Sequence, residues 1–397
     1  MTGTSWQSAV GFADRLSNIM AISTTLQTHD RSGKDYNAAS LARELEAQAY
    51  QEATSEVDYQ RRCSSIQEDL KPREHPEDQL DDDDGDSTDR PTLAIGPFKD
   101  AVYHRNGLYS TIYKASASPL GTKSGHTTIV ALKVTTPLAM SPPHNSAREA
   151  RILMHATTKD SHTIPLIDAL TEPGGHLILV FPFMHYDLDF LQQRHPDSIT
   201  ADVKHQIELS LFSALAHIHD LGIIHRDIKP SNILLRTLTG PIYLADFGIA
   251  WSPNDPDSEP ADQKITDVGT TCYRPPELLF GYTNYDQSLD MWAAGCVIAE
   301  LEHPEHKALF NAGPLGSELA LISSIFHIMG TPDETTWPST TKLPDWGKMA
   351  FNQYPAQPWT KILNGVTEKA IELVSRLVRY EMSERLTAKK ALELCAY

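Results

Sequence analysis

The chain has 397 residues, a formal net charge of −18 at pH 7 and four cysteines. Its acidic balance gives no reason to expect binding to nucleic acid or to a membrane surface. The cysteines lack the paired spacing of a metal site, no apolar run is long enough to span a membrane, and the N-terminus lacks a secretory pattern. We therefore expect a soluble intracellular protein, with one large domain and an extension or with two domains.

Residues 1–97 form the most acidic part of the chain and hold about ten of the excess negative charges. Composition predicts a helix over Ser40–Leu70, in which Leu41, Leu45 and Ala49 share one face. Residues 71–91 combine prolines with a run of acids, which is typical of a solvated linker. We expect residues 1–97 to be a partly helical or disordered extension.

From Phe98 onward the pattern changes to apolar runs of strand length, followed by longer segments with helical spacing. The predicted strands are Thr111–Ala115, Thr127–Val134 and His176–Phe183, and the predicted helices are Ser146–Ala156 and Asp202–Leu221. After Pro276 the chain is predicted to be mostly helical. A strand-rich half before a helix-rich half indicates an α+β fold with two lobes and a ligand cleft between them.

The stretch LGIIHRDIKPSNILL, residues 221–235, places charged and amide side chains between two apolar anchors. Asp227 held in this way could accept a proton from a hydroxyl group, Lys229 could neutralise a phosphate, and Asn232 could bind a metal. Asp246 lies in a second motif, Ala-Asp-Phe-Gly, where a carboxylate precedes a glycine hinge. Each residue alone is weak evidence, and only the joint spacing favours a phosphate-transfer site.

The motifs HRDIKPSN and DFG resemble those of eukaryotic protein kinases, and others follow in the family's order. These are Lys133 in VALK, Glu149 in SAREARIL, Glu277 in PPE, Asp290 in DMWAAGC, and Arg385 as the expected partner of Glu277. The resemblance implies a bilobal protein kinase fold over 98–397, with a strand-rich N-lobe at about 98–182 and a helical C-lobe at about 183–397.

The resemblance also implies roles for individual residues. Catalysis would fall to Asp227, Lys229, Lys133 and Glu149, and Mg²⁺ to Asn232 and Asp246. ATP would be bound by Gly107, Ile112, Ala131, Lys133, Phe181, Pro182, Met184, Asp187 and Leu234. The activation segment and its surroundings would involve Arg148, Arg226, Thr266, Gly269, Thr270 and Arg274.

TTCYRPPELLFG and IMGTPDETTWP are similar to the cyclin-dependent-kinase branch. The type implied is a serine/threonine kinase, similar to the fungal single-subunit kinases that activate cyclin-dependent kinases. Its partners would be protein substrates, with a cyclin possible but not required and with no nucleic acid or membrane, in the nucleus and/or cytoplasm. A cyclin-bound kinase and a pseudokinase scaffold stay open as alternatives.

Two segments depart from the family pattern. Of the three glycines expected over the phosphates only Gly107 is present, with Arg105 and Ser110 at the other two places. In the activation segment Trp251 replaces an expected arginine, and Ile265 occupies the phosphothreonine position beside Thr266. The acids between them, Asp255, Asp257, Glu259 and Asp262, either stand in for a phosphate or form a solvated loop. Gly269 is expected to relax the demand for proline after the phosphorylated residue.

Overall fold

The computed structural model describes residues 15, 18–19, 21–22, 38–69, 92–107, 109–117, 128–313 and 316–396. The chain divides into two compact units, Met1–Thr88 with Asn311–Leu321, and Asp89–Phe310 with Ile322–Tyr397. The predicted linker at 71–91 lies outside the described residues. Among the helices that are described, none is long and apolar enough to cross a membrane.

Within residues 38–69 of the first unit there are two helices, α1 (Ala38–Glu52) and α2 (Glu56–Asp69), so the prediction of one helix over Ser40–Leu70 is wrong. The chain breaks between them because side chains offer the backbone other partners. The Ser55 hydroxyl accepts the Asp58 N–H at 3.1 Å, and the Asp58 carboxylate accepts the Thr54 N–H at 3.0 Å. These contacts start a new helix. Ala49 and Tyr59 then pack in one buried cluster.

A six-stranded antiparallel sheet, in the order β1-β2-β3-β4-β6-β5, opens the second unit. Its strands are β1 (Leu93–Ile95), β2 (Phe98–Asn106), β3 (Ser110–Ala117), β4 (Thr128–Thr135), β5 (Asp168–Thr171) and β6 (Leu177–Pro182). Because side chains alternate along a strand, Val130 and Leu132 of β4 enter the core with Ile178 and Val180 of β6. Lys133 is thereby turned to the opposite face.

Helix α3 (Ser146–Ala156) coincides with its prediction, and Asn145 caps it by accepting the Arg148 N–H at 2.9 Å. The helical part continues with α4 (Leu188–Arg194), α5 (Ala201–Asp220), α6 (Pro276–Leu279), α7 (Ser288–Glu302), α8 (Glu318–Met329), α9 (Trp359–Ile362), α10 (Glu368–Leu377) and α11 (Ala388–Ala396). Glu277 and Arg385 form a fully buried double contact of 2.6 and 2.7 Å, as the motif predicted. The α+β fold class is confirmed.

A second, three-stranded antiparallel sheet sets the spacing of the chemical residues. It consists of β7 (Tyr186–Asp187), β8 (Ile233–Leu235) and β9 (Ile242–Leu244). Asn232 ends the loop before β8, and Ala245 follows β9, where its N–H donates to the Asn232 carbonyl at 2.9 Å. This pairing brings the two charged motifs of the sequence side by side.

Candidate active site

Lys133 on β4 lies among carboxylates that come from distant parts of the chain. Its ammonium contacts both oxygens of Glu149 on α3, at 2.7 and 2.8 Å, and Oδ1 of Asp246 at 2.8 Å. Burial disfavours the cation, but the negative charges of Asp246 and Glu149 outweigh it and raise the pKa of Lys133. The same ammonium holds the pKa of Asp246 well below its usual range. Lys133 and Asp246 are therefore charged at neutral pH, whereas burial raises the pKa of Glu149 despite its contact with Lys133.

Asp227 has both carboxylate oxygens engaged. Oδ1 accepts the backbone N–H and the hydroxyl of Thr270, at 3.0 and 2.8 Å. Oδ2 lies 2.8 Å from the Lys229 ammonium and accepts the Asn232 amide N–H at 3.2 Å. Burial would raise the pKa of Asp227, but Lys229 reverses the effect and lowers it. The carboxylate is thus ionised and held in one orientation, as a group that positions a hydroxyl must be.

The backbone before Asp227 is held by Asp290 at the start of α7. Its two carboxylate oxygens accept the N–H groups of His225 and Arg226, each at 2.9 Å, and His219 also contacts it at 2.9 Å. This support matters because Arg226 has a φ of 71°, in the left-handed region that non-glycine residues rarely adopt. Sequence reasoning found Asp290 in its motif but missed this role.

Gly269 packs against the loop that contains Arg226 and Asp227, and it has a φ of +78°. A Cβ at this position would stand 2.6 Å from the carbonyl oxygen of Arg226, which is shorter than any real contact. Glycine is therefore required here by close packing as well as by conformation. Its own carbonyl accepts the Arg274 Nε–H at 2.8 Å, and Arg274 also pairs with Asp267 at 2.8 Å.

Asn232 and Asp246 offer oxygen ligands of the kind that a hard divalent cation prefers. The Asn232 amide nitrogen donates to the carbonyl of Asp227 at 2.8 Å and to its carboxylate, which leaves the amide oxygen for a cation. In the part of the chain that the structure describes, no cluster of three or more His, Cys, Asp or Glu side chains forms a cage of its own. The pair fits a cation whose remaining ligands are phosphate oxygens and water.

The residues predicted to bind ATP lie on the strands around this centre. Ile112 is opposite Lys133 in the β3–β4 register, Ala131 is opposite Phe181, and Leu234 is opposite Asp187. Phe181 is buried, whereas Pro182 and Met184 are half-buried where β6 ends, and Gly107 follows β2. These placements match the prediction, although their contact with a nucleotide stays a prediction.

Arg105, at the first of the missing glycine positions, lies with a guanidinium nitrogen 3.2 Å from Asp187, the residue predicted to reach the ribose. Gly107 donates its N–H to the carbonyl of Ser110 at 2.6 Å. The two described glycine-loop positions are therefore joined by a backbone hydrogen bond, and Arg105 contacts a residue of the predicted helical lobe.

The activation segment, between the Ala-Asp-Phe-Gly and Pro-Pro-Glu motifs, contacts arginines from two different elements of the site. Arg226 and Arg148 both face Glu259, the first at 3.2 Å and the second at 3.9 Å. Trp251 packs in one apolar cluster with Ile265, as expected when an indole replaces an arginine. Thr266 is half-buried beside them. Sequence reasoning did not foresee the specific pairing of Arg226 with Glu259.

Comparison with known proteins agrees with this geometry. Residues 106–394 match the protein kinase domain family. Serine/threonine-protein kinase csk1 of Schizosaccharomyces pombe is 37% identical over 265 residues, which cover 66% of this chain and 84% of that protein. Cell division control protein 2 homolog D of Antirrhinum majus is 34% identical over 297 residues, covering 72% and 89%. Cyclin-dependent kinase 20 of Homo sapiens is 31% identical over 256 residues, covering 63% and 69%.

The matched region contains the whole Lys133, Glu149, Asp227, Asn232 and Asp246 set. Lys133 contacts Glu149 and Asp246, Asn232 contacts Asp227, and the Ala245 N–H beside Asp246 donates to the Asn232 carbonyl. A scaffold without activity has no physical need for all five, so the pseudokinase alternative is set aside. The chain belongs to the eukaryotic protein kinases and, within them, to the cyclin-dependent-kinase-like branch of ATP-dependent serine/threonine kinases.

Proposed function

We propose that this kinase phosphorylates the activation segments of cyclin-dependent kinases and works as a single chain, without a cyclin. The observation that supports the proposal is the Lys133–Glu149 pair, whose closest contact is 2.7 Å. Helix α3, which supplies Glu149, is also joined to the activation segment, since the Asn145 N–H donates to the Gly248 carbonyl at 3.0 Å. A kinase that activates others gains from needing no activator itself.

In the proposed mechanism the phosphates of ATP lie against Lys133, which Glu149 holds in place. Asn232 and Asp246 would hold Mg²⁺, which neutralises charge on the phosphate oxygens when it is bound. Asp227 orients the serine or threonine hydroxyl and takes its proton. Lys229 contacts Asp227 at 2.8 Å and would stabilise charge on the transferred group. The chain therefore acts by positioning and by electrostatics.

Arg274 supports a second candidate, a kinase that prefers proline after the phosphorylated residue. Its Nε–H donates to the carbonyl of Gly269. This carbonyl would then no longer accept the backbone N–H of the substrate residue that follows the phosphorylated one. Proline has no N–H and loses nothing at such a site. This contact runs against the expectation that Gly269 relaxes the demand for proline, so both substrate classes need to be compared directly.

The test is a comparison of substrates with the purified full-length chain alone. The substrates are an inactive cyclin-dependent kinase, the same protein with its activation-segment threonine changed to alanine, and a generic Ser/Thr-Pro peptide. We expect rapid transfer to the intact kinase and almost none to its alanine form. Transfer to the peptide alone would replace the proposal with the proline-directed candidate, and transfer to neither would defeat both.

The cysteines support the proposed location in the nucleus or cytoplasm. All four carry free thiols and are buried, as in proteins of reducing compartments. A cyclin is not required by the proposed function.

A further inference from the structure

Arg226, immediately before Asp227, has a fully buried guanidinium group. A buried charge without a partner destabilises a fold. The partner of Arg226 therefore determines whether the catalytic loop, residues 225–232, is stable in this conformation. The partner is Glu259 of the activation segment. Its two carboxylate oxygens lie 3.2 and 3.3 Å from two different guanidinium nitrogens, and Arg148 of α3 lies 3.9 Å away.

Glu259 is itself held in place from the other side. The Trp251 indole N–H donates to the Glu259 carbonyl at 2.8 Å. Lys264, which is buried, lies 4.7 Å from the centre of the Trp251 ring and donates to the Tyr285 carbonyl at 2.8 Å. Tyr285 in turn contacts Arg226, because its hydroxyl accepts an N–H of that guanidinium at 3.0 Å. Trp251, which replaces the expected arginine, thus orients Glu259.

Two further acids of the segment hold helix α3. Arg151 contacts both oxygens of Asp255 at 2.7 and 2.9 Å and one oxygen of Asp257 at 2.6 Å. Arg148 donates to the backbone carbonyl of Asp257 at 3.1 Å. The Asp255 side chain is only 5% exposed, whereas the Asp257 side chain is 49% exposed, so the contact with Asp255 is the better shielded of the two. Because α3 carries Glu149, these contacts also fix the partner of Lys133.

We infer that Glu259, Asp255 and Asp257 act together in place of an activating phosphate, with Glu259 as a positioning residue for the catalytic loop through Arg226. In kinases ordered by phosphorylation, one phosphate of about −1.5 to −2 charge gathers the arginines. A single carboxylate carries less charge and fewer oxygens. In this chain Glu259 contacts Arg226 of the catalytic loop, and Asp255 and Asp257 contact Arg151 of α3. The fourth acid, Asp262, is exposed, and its charge acts weakly on Lys264 and not on the arginines of this arrangement.

The protonation of Glu259 agrees with this role. Burial alone would raise the pKa of Glu259, but the positive charge of Arg226 and its hydrogen bonds lower it below the ordinary value. The hydrogen bond from Arg151 likewise lowers the pKa of Asp255. Both acids are therefore anionic at neutral pH.

The test uses the full-length chain, made in bacteria and treated with phosphatase, on whichever substrate the wild type phosphorylates. Glu259→Gln keeps the shape and removes the charge, and Asp262→Asn is the matched control. We expect Glu259→Gln to lower kcat about 10- to 100-fold with little change in the KM for ATP. Asp262→Asn should match the wild type.

Three further variants guard against a mere folding defect and test the second contact. Glu259→Ala should regain part of its kcat in added acetate or sulfate, because the space left by the Glu259 side chain, which is 15% exposed, would admit a small anion beside Arg226. Asp262→Ala should not respond. Arg151→Gln should raise the KM for ATP roughly 3- to 10-fold, since it frees the helix that carries Glu149.

The inference is overturned if Glu259→Gln and Arg151→Gln have the same unfolding temperature as the wild type and their kcat and KM for ATP stay within twofold of the wild-type values. It is also overturned if Glu259→Ala is inactive but does not respond to any anion. The inference concerns regulation of the site assigned above and so rests on the proposed function, but the two fail separately. Substrate preference of the wild type tests the proposed function, and the ratio of variant to wild type tests the inference.

Discussion

Replacing Asp227 with asparagine is expected to lower kcat by about 10²–10⁴-fold while leaving nucleotide binding intact. The carboxylate is the only anion that contacts Thr270, Lys229 and Asn232 together in the residues described. An amide of the same shape keeps part of this network but cannot take a proton from the substrate hydroxyl. We expect the nucleotide to be held mainly by Lys133, which lies on another element.

Steady-state kinetics and a nucleotide-binding titration on the same protein sample would measure this effect. Asp160→Asn, which changes an exposed acid remote from these contacts, is the matched control. A kcat for Asp227→Asn within a few-fold of the wild type would remove Asp227 from its catalytic role.

Changing Asp246 to asparagine is expected to abolish most of the stabilisation that Mg-ATP gives to the folded protein. The substitution would remove the charged oxygen ligand from the proposed cation site, which would then have only the neutral amide of Asn232. A ligand present at 100 times its dissociation constant stabilises a protein by about 2.7 kcal/mol, so the loss is measurable. The variant should still fold, because Lys133 retains Glu149 as its partner.

Thermal unfolding with Mg-ATP, with ATP in EDTA and without nucleotide would measure this loss. For the wild type we expect the largest increase in unfolding temperature with Mg-ATP. For Asp246→Asn the Mg-dependent part of that increase should vanish. An equal increase in both proteins would count against the metal role of Asp246.

The core of the site could be predicted because its residues lie in short motifs with fixed spacing. Lys133 and Asp246 are 113 residues apart, yet each is recognisable in its own motif, and the structure joins them at 2.8 Å. The same holds for helix α3, whose N-cap and apolar spacing are local properties. Local signals of this kind survive folding, so prediction and structure agree there.

Contacts within the activation segment could not be predicted in the same way. The pairing of Glu259 with Arg226 spans 33 residues and depends on how an irregular loop folds back. Four acids in that loop look alike in the sequence, and only burial separates Glu259 and Asp255 from the exposed Asp262. The helix break before Asp58 was missed for a different reason, since a cap can override helix-forming composition.

The proposed self-sufficiency of this kinase is tested most directly by the activity of the unmodified chain. The measurement is the rate of phosphate transfer to an inactive cyclin-dependent kinase by wild type and by Thr266→Ala, both made in bacteria and treated with phosphatase. With Glu259 already paired with Arg226, we predict that both are active without a cyclin and that their rates agree within a few-fold. If both are inactive until a cyclin or an upstream kinase is added, the chain is an ordinary cyclin-dependent kinase.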